Sequence, residues 1–332
     1  MAAAARSSTA APAQPDSASA QERATARTHL LVFALMLVVL VGAPFVGVYP
    51  VFMMKVMCFA LFACAFNLLL GYGGLLSFGH AMFIGSAGYA AAHSAKVWGL
   101  TPELAVLFAT ACAGALGWVT GWLSIRRQGI YFAMITLALA QMVFFFSLQA
   151  PFTGGEDGIQ AVPRGRLFGL IDLSQPMAMY IFVLAIFTGG FALIYRIVHS
   201  PFGQVLQAIR ENEARAISLG YDADKFKHRA FVLSATLSGL AGGTKAILFQ
   251  LASLTDVHWG MSGEVVLMTL VGGMGTIFGP VVGAAVIVTM QNYLAELGAW
   301  VTVVQGVIFV VCVLVFRRGI VGEIGNWLKK SL

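Results

Sequence analysis

Residues 71–80 read GYGGLLSFGH, four glycines in ten residues set between long apolar runs. Glycine continues a helix poorly, because its backbone loses the most freedom on ordering. What the interruption means depends on its flanks. Stretches without Asp, Glu, Lys or Arg cover 30–54, 56–79, 104–125, 128–155, 173–195, 265–295 and 297–316. A helix needs about 20 apolar residues to cross a hydrocarbon core roughly 30 Å thick. Several runs meet that length. The chain is 59% hydrophobic and 10% charged, against about 25% charged in a soluble domain. The expected fold class is an all-α polytopic membrane protein with broken or short helices. A transmembrane barrel is excluded, because barrel strands alternate polar and apolar residues.

Inside such a protein, non-helical backbone survives at membrane depth only where protein or water satisfies its polar groups. Gly71, Gly73, Gly74 and Gly79 can open the backbone, while Ser77 and His80 offer side-chain hydrogen bonds. One reading is a broken or re-entrant segment lining a substrate route. The other is a turn between two spans on the cytoplasmic side. A dinucleotide-binding loop is excluded, since the required third glycine falls on Leu76. His80 alone reads as a satisfied interior histidine before it reads as a proton relay.

The net charge of +6 raises the question of nucleic acid, but the basic residues cluster at span ends. That is a topology signal rather than a phosphate-binding face. Arg126/Arg127, the stretch 196–229 and Arg317/Arg318 with Lys329/Lys330 mark cytoplasmic loops, whereas the uncharged link PFVGVYP (44–50) suits the outside. Residues 1–28 are rich in Ala, Ser, Thr and Pro and read as a disordered cytoplasmic tail. Six spans precede residue 199, with 151–176 as an external loop. A seventh follows the polar stretch 199–228. Residues 265–316 hold two spans or three short ones, with GGMGTIFGP (272–280) as the place to turn; Gly272, Gly273, Gly275 and Pro280 supply it. Parity favours three. The sum is about ten transmembrane helices between 29 and 318, both termini cytoplasmic, with 319–332 as a C-terminal tail.

The polar stretch 200–229 opens with Ser200 as an N-cap candidate and Pro201 at the first helical position. Phe202, Val205, Leu206, Ile209, Ala216 and Ile217 recur at helical spacing, and Gly220 can end the helix. Arg210, Glu211, Asn212, Glu213, Ala214 and Arg215 leave a face that alternates in sign. A lipid-surface helix usually carries a cationic face, so docking to a soluble partner fits better.

Glycines spaced by four at Gly117/Gly121, Gly239/Gly243 and Gly275/Gly279/Gly283 suit close helix packing. Cys58, Cys64, Cys112 and Cys312 lie in apolar runs and read as small buried hydrophobes. No phosphate-binding loop, metalloprotease motif or nucleophile elbow occurs. Catalytic residues, metal ligands and cofactors are therefore expected to be none on this chain. Glu103, Asp256, Glu264 and Glu296 fall near expected span ends or turns, and Lys55, near a span end, can snorkel. Lys245 lies deeper, where it could meet a backbone carbonyl or a passing anionic group. A chain without an interior carboxylate lacks the usual ion-coupling group, so its energy is expected from elsewhere; an ion-coupled secondary carrier is the alternative.

Several blocks resemble the LivM-type permeases of branched-chain amino-acid ABC importers: GYGGLLSFGHAMFIGSAGYAAA (71–92), RRQGIYFAMITLALAQM (126–142) and TGGEDGI (153–159). The likeness continues through 200–243 and LVGGMGTIFGPVVGAAV (270–286), covering roughly residues 30–320. It implies a ten-span importer fold in the bacterial inner membrane and a LivH-type partner permease. It also implies LivG/LivF-type ATPase subunits carrying ATP and Mg, and a periplasmic binding protein. ENEARAISLG (211–220) would be the loop seated in the ATPase. The pattern Glu213-Ala214-Arg215 to Gly220 departs by one residue from the usual spacing. Relatives that carry urea, amides or carboxylates keep the cargo open.

Overall fold

The computed structural model describes residues 15–294, 298, 300–315 and 319–327. The first half of the chain forms helices α1 (Pro15–Gly42), α2 (Pro50–Asn67), α3 (His80–Lys96), α4 (Pro102–Ser124), α5 (Ile130–Gln149) and α6 (Pro176–Val198). Two short helices follow, α7 (Pro201–Glu211) and α8 (Glu213–Ser218). The rest comprises α9 (Ala223–Phe249), α10 (Trp259–Gly272), α11 (Gly279–Tyr293), α12 (Trp300–Val315) and α13 (Gly319–Trp327). Proline in the first turn starts α2, α4, α6, α7 and α11, where the missing N–H costs no helical bond. Pro280 therefore opens a helix rather than breaking one.

Among the described residues, six helical segments are long and apolar enough to cross a membrane: Thr28–Val46, Pro50–Tyr72, Pro102–Ser124, Ile130–Gln149, Pro176–Val198 and Ala223–Phe249. The expectation of a polytopic helical membrane protein holds. α2 and α9 form the centre, with α2 buried from Met57 to Asn67. α1, α4 and α5 turn large apolar side chains outward, Leu35, Leu107 and Phe145 among them. Apolar lipid gives helices no hydrophobic reason to associate, so close backbone approach has to supply the attraction. The glycines at four-residue spacing provide it. Gly239 of α9 faces Ala113 of α4 and Ala87 of α3, while Gly243 packs on Ala109. In the same seam Gly117 of α4 meets Ala235 of α9.

The loop expected on the outside, 151–176, is itself folded. β1 (Ile159–Gln160) pairs antiparallel with β4 (Leu251–Ala252), which pins the loop to the end of α9. β2 (Arg166–Leu167) pairs with β3 (Ile171–Asp172). Lys96 Nζ donates to Gln160 O at 2.7 Å, and Arg164 Nη2 to Leu248 O at 2.9 Å.

Three expectations change. α1 begins at Pro15, inside the segment read as a disordered tail; residues 1–14 lie outside the described residues. Residues 319–327, within the expected C-terminal tail 319–332, form α13 on α10 and α11, with Gly319 against the Gly272–Gly273 backbone. The helix expected to run unbroken from 201 to Gly220 is two helices hinged at Asn212. Glu296, Arg317, Arg318, Lys329 and Lys330 lie outside the described residues, and the side chain of Cys312 is likewise not described. Cys58 and Cys64 are free and buried, and Cys112 is free and half-buried.

Candidate functional site

Chemically distinctive residues gather at the two opposite ends of the bundle. At one end, α2 leaves α-helical geometry at Leu68 and finishes in a π-turn, Leu68–Tyr72. The Gly74 backbone then takes a φ of +68°, a region that side chains with a Cβ avoid. An added Cβ there would stand 2.9 Å from Arg210 Cγ. Beside it, α10 ends at Gly272 and the chain turns through 273–278 before α11.

Two side chains join these breaks. Asn67 Nδ2 donates to Thr276 O at 2.8 Å, and Gly275 N donates to Asn67 Oδ1 at 3.1 Å. Arg210, at the end of α7, donates through Nη1 to Gly71 O. A Cβ at Gly71 would lie 2.7 Å from Gly275 N, so Gly71 is needed for this approach, while Gly275 takes a φ of +76°. Gly71, Gly74 and Gly275 thus meet Arg210, a residue expected only on the docking face. Asn67 was missed. Its signal was available, an amide at the end of an otherwise apolar run.

The connection from 71 to 80 breaks the helical path, between the π-turn that ends at Tyr72 and α3, which begins at His80. Ser234 Oγ donates to Ala65 O at 2.5 Å and accepts from His80 Nε2 at 2.8 Å. His80, at the start of α3, thus reaches Ala65 of α2 through Ser234, six residues before Gly71. The stretch before it is held by Phe78 N to Thr136 Oγ1 at 3.2 Å and Gly79 N to Ser77 Oγ at 3.2 Å. His80 is buried among Phe66, Phe83 and Phe231, edge-on to each. It is an interior histidine, and it lines neither end site. Gly73 stays in the turn, its N–H bonding Leu69 O.

On α7, Ser200 occupies the N-cap position, but its hydroxyl donates backward to Ile197 O at 2.6 Å and caps nothing. Asn212 caps instead, accepting from Arg215 N at 3.0 Å. Gly220, with φ +90°, follows the last turn of α8 as expected. Leu206 and Ile209 face inward, and Ile209 packs with Ala216 and Ala223. Glu213 is not free for a partner. It accepts from Lys227 Nζ at 2.6 Å and from Gln128 Nε2 at 3.1 Å, tying α8 to α9 and to the α4–α5 link. Glu211, Ala214, Arg215, Ile217 and Leu219 remain exposed. Asp222 caps α9, accepting from Lys225 N at 3.1 Å. The Lys225 side chain bonded to it holds its carboxyl below the usual carboxylate range.

At the opposite end a cavity of about 700 Å³ opens between α2, α9, α10 and α11. Lys55, Lys245, Asp256, Glu264 and Gln291 line it with Phe59, Phe249 and Met261. Lys245 pairs with Asp256, and its ammonium lies 5.2 Å from the centre of the Phe59 ring. Glu264 stands five residues into α10, and Lys55 five residues into α2, each about 7.5 Å from its helix start. Asp256 and Glu264, expected near span ends or turns, nevertheless line one cavity together. Spacing could not reveal this, because the four charges come from four elements.

Residues 50–314 match the family described as branched-chain amino acid transport system / permease component. The chain belongs to that family. This permease is 26% identical to the LivM permease protein of Salmonella typhimurium over 322 residues, covering 89% of this chain and 75% of the relative. It is 25% identical to Escherichia coli LivM over 287 residues, covering 80% and 68%. Similarity extends to the ribose import permease RbsC of Bacillus subtilis, 29% over 242 residues, covering 67% and 70%. No solved structure gives a significant match. The family match includes both end sites of the permease and leaves all of α1 outside it.

Proposed function

We propose that this permease is the membrane-spanning subunit of an ATP-driven importer that carries branched-chain amino acids across the bacterial inner membrane. Family membership and the LivM relatives support the cargo. A second permease of LivH type completes the route, LivG/LivF-type ATPases hold ATP and Mg, and a periplasmic binding protein delivers the cargo. The chain performs no reaction of its own. Helices α1–α6 and α9–α12 make ten crossings, with both termini cytoplasmic. α10, α11 and α12 span with 14, 15 and 16 residues, about 21–24 Å each, shorter than a full hydrocarbon core. Arg126, Arg127, Arg196, Arg210, Arg215, Lys225, Lys227 and Arg229 fall together on the inner side by the positive-inside rule. The cavity then faces outward.

The observation that carries the reading is Arg210. One helix-loop-helix, α7–α8, presents Glu211, Arg215, Ile217 and Leu219 outward while Arg210 grips the carbonyl of Gly71 at two helix breaks. A partner that moves α7–α8 therefore moves the ends of α2 and α10. The movement itself must come from different affinities of ATP, cargo and binding protein for the two states. In the test, Glu211→Arg combined with Arg215→Glu lowers co-purification of the ATPase subunits at least about tenfold, with normal membrane insertion. Unchanged co-purification rejects α7–α8 as the docking segment.

A further inference from the structure

The four charges in the outward cavity are not equivalent. Lys245 and Asp256 are already closed on each other, and the Phe59 ring flanks the ammonium. Lys55 and Glu264 are different. They line the same cavity from α2 and α10, yet neither makes an ion pair among the described residues. Gln291 of α11 bonds Glu264 without neutralising it. A charge in a protein wall without a direct partner is costly. Two charges of opposite sign that line one space without closing an ion pair are complementary to a ligand that carries both signs.

We infer that Lys55 and Glu264 form a zwitterion subsite, Lys55 receiving the carboxylate and Glu264 the ammonium of a free α-amino acid. This rests on the importer reading above. Phe59, Phe249 and Met261 provide the apolar wall that an aliphatic side chain requires. The cavity volume of about 700 Å³ lies within the about 300–1,000 Å³ of small-molecule sites. A sugar, as the name of the ribose permeases suggests for those relatives, supplies hydroxyls and no charge. It would leave both Lys55 and Glu264 without an ion-pair partner. The closed Lys245–Asp256 pair bounds the subsite on one side and keeps the total charge of the wall at zero, so a net-neutral zwitterion enters without an electrostatic penalty for the site as a whole.

The test uses the complete importer in proteoliposomes, with its binding protein, internal exclusion of other carriers, ATP and radiolabelled leucine. Leucine uptake by the wild-type complex is the control for the importer reading. Lys55→Met and Glu264→Gln should each cut the initial uptake rate at least about tenfold, the scale of a lost charge-assisted bond. ATP hydrolysis stimulated by the binding protein should stay within about twofold, because the ATPase docking segment lies at the other end. Lys55→Arg and Glu264→Asp should keep most of the uptake. Wild-type rates in both neutral variants overturn the subsite and leave the importer standing. Equal losses in the charge-conserving variants, or loss of ATP hydrolysis in step with uptake, assign the two residues a structural role and also overturn it. Absence of leucine uptake by the wild-type complex overturns both the subsite and the reading it rests on.

Discussion

The two ends of this permease solve opposite problems. At the Arg210 end, glycine backbones touch and the polar contacts go to carbonyls and amides: Gly71 O, Thr276 O and Gly275 N. At the other end, charged side chains stand around open space. A joint needs backbones that can approach and change shape, so it removes side chains. A recognition site needs charges of fixed sign, so it builds them onto regular helices. On the proposals made above, movement belongs to one end and selection to the other.

Substitutions that add bulk at the joint should have the largest effects. Gly74→Leu places a side chain where φ is +68° and Arg210 already lies close. The left-handed backbone alone costs about 1–2 kcal/mol, and the clash displaces Arg210. Uptake by the full complex should fall at least about tenfold; normal uptake would dismiss the joint. The next largest effect concerns the brace beneath it. Glu213→Gln removes the partner of Lys227, which is only 4% exposed. Leaving that ammonium unpaired should destabilise the α8–α9 contact by about 1–3 kcal/mol, read as a lower thermal midpoint of the purified complex.

Arg210→Ala sharpens the comparison from the side of coupling. It removes a charge-assisted bond of about 1.5–3 kcal/mol while leaving the outward face of α7–α8 in place. Leucine carried per ATP hydrolysed should drop several-fold with the ATPase still bound, and an unchanged ratio would break the link between α7 and the helix ends. The smallest effect is expected at His80, which belongs to neither end. His80→Gln can retain the bond to Ser234, so uptake should stay within about twofold across pH 6–8. A steep new pH dependence would instead mark His80 as part of the route.

Some of this was readable from residue order. Pro201 starting α7, Gly220 ending α8 and the glycine spacing between α4 and α9 are all local rules, and each appears where those rules place it. Ser200 shows where a local rule stops. It sits at the right position, yet its hydroxyl finds a nearer acceptor in Ile197 O. Glu213 shows the same limit at longer range. Sign alternation left it on a polar face, but Lys227 and Gln128 claim it once α8 folds back.

The sequence by itself determined that this chain spans a membrane many times, where its polar, basic segment lies along the chain and which family it resembles. Those properties depend on the length of apolar runs and on charge along the chain, both local quantities. Only the tertiary structure decided that Arg210 meets Gly71, 139 residues away, and that Asn67 meets Gly275, 208 residues away. It likewise decided that Lys55 and Glu264 share one cavity. Such meetings depend on the register and crossing of packed helices, where one residue of rotation, about 100°, turns a side chain from cavity to lipid.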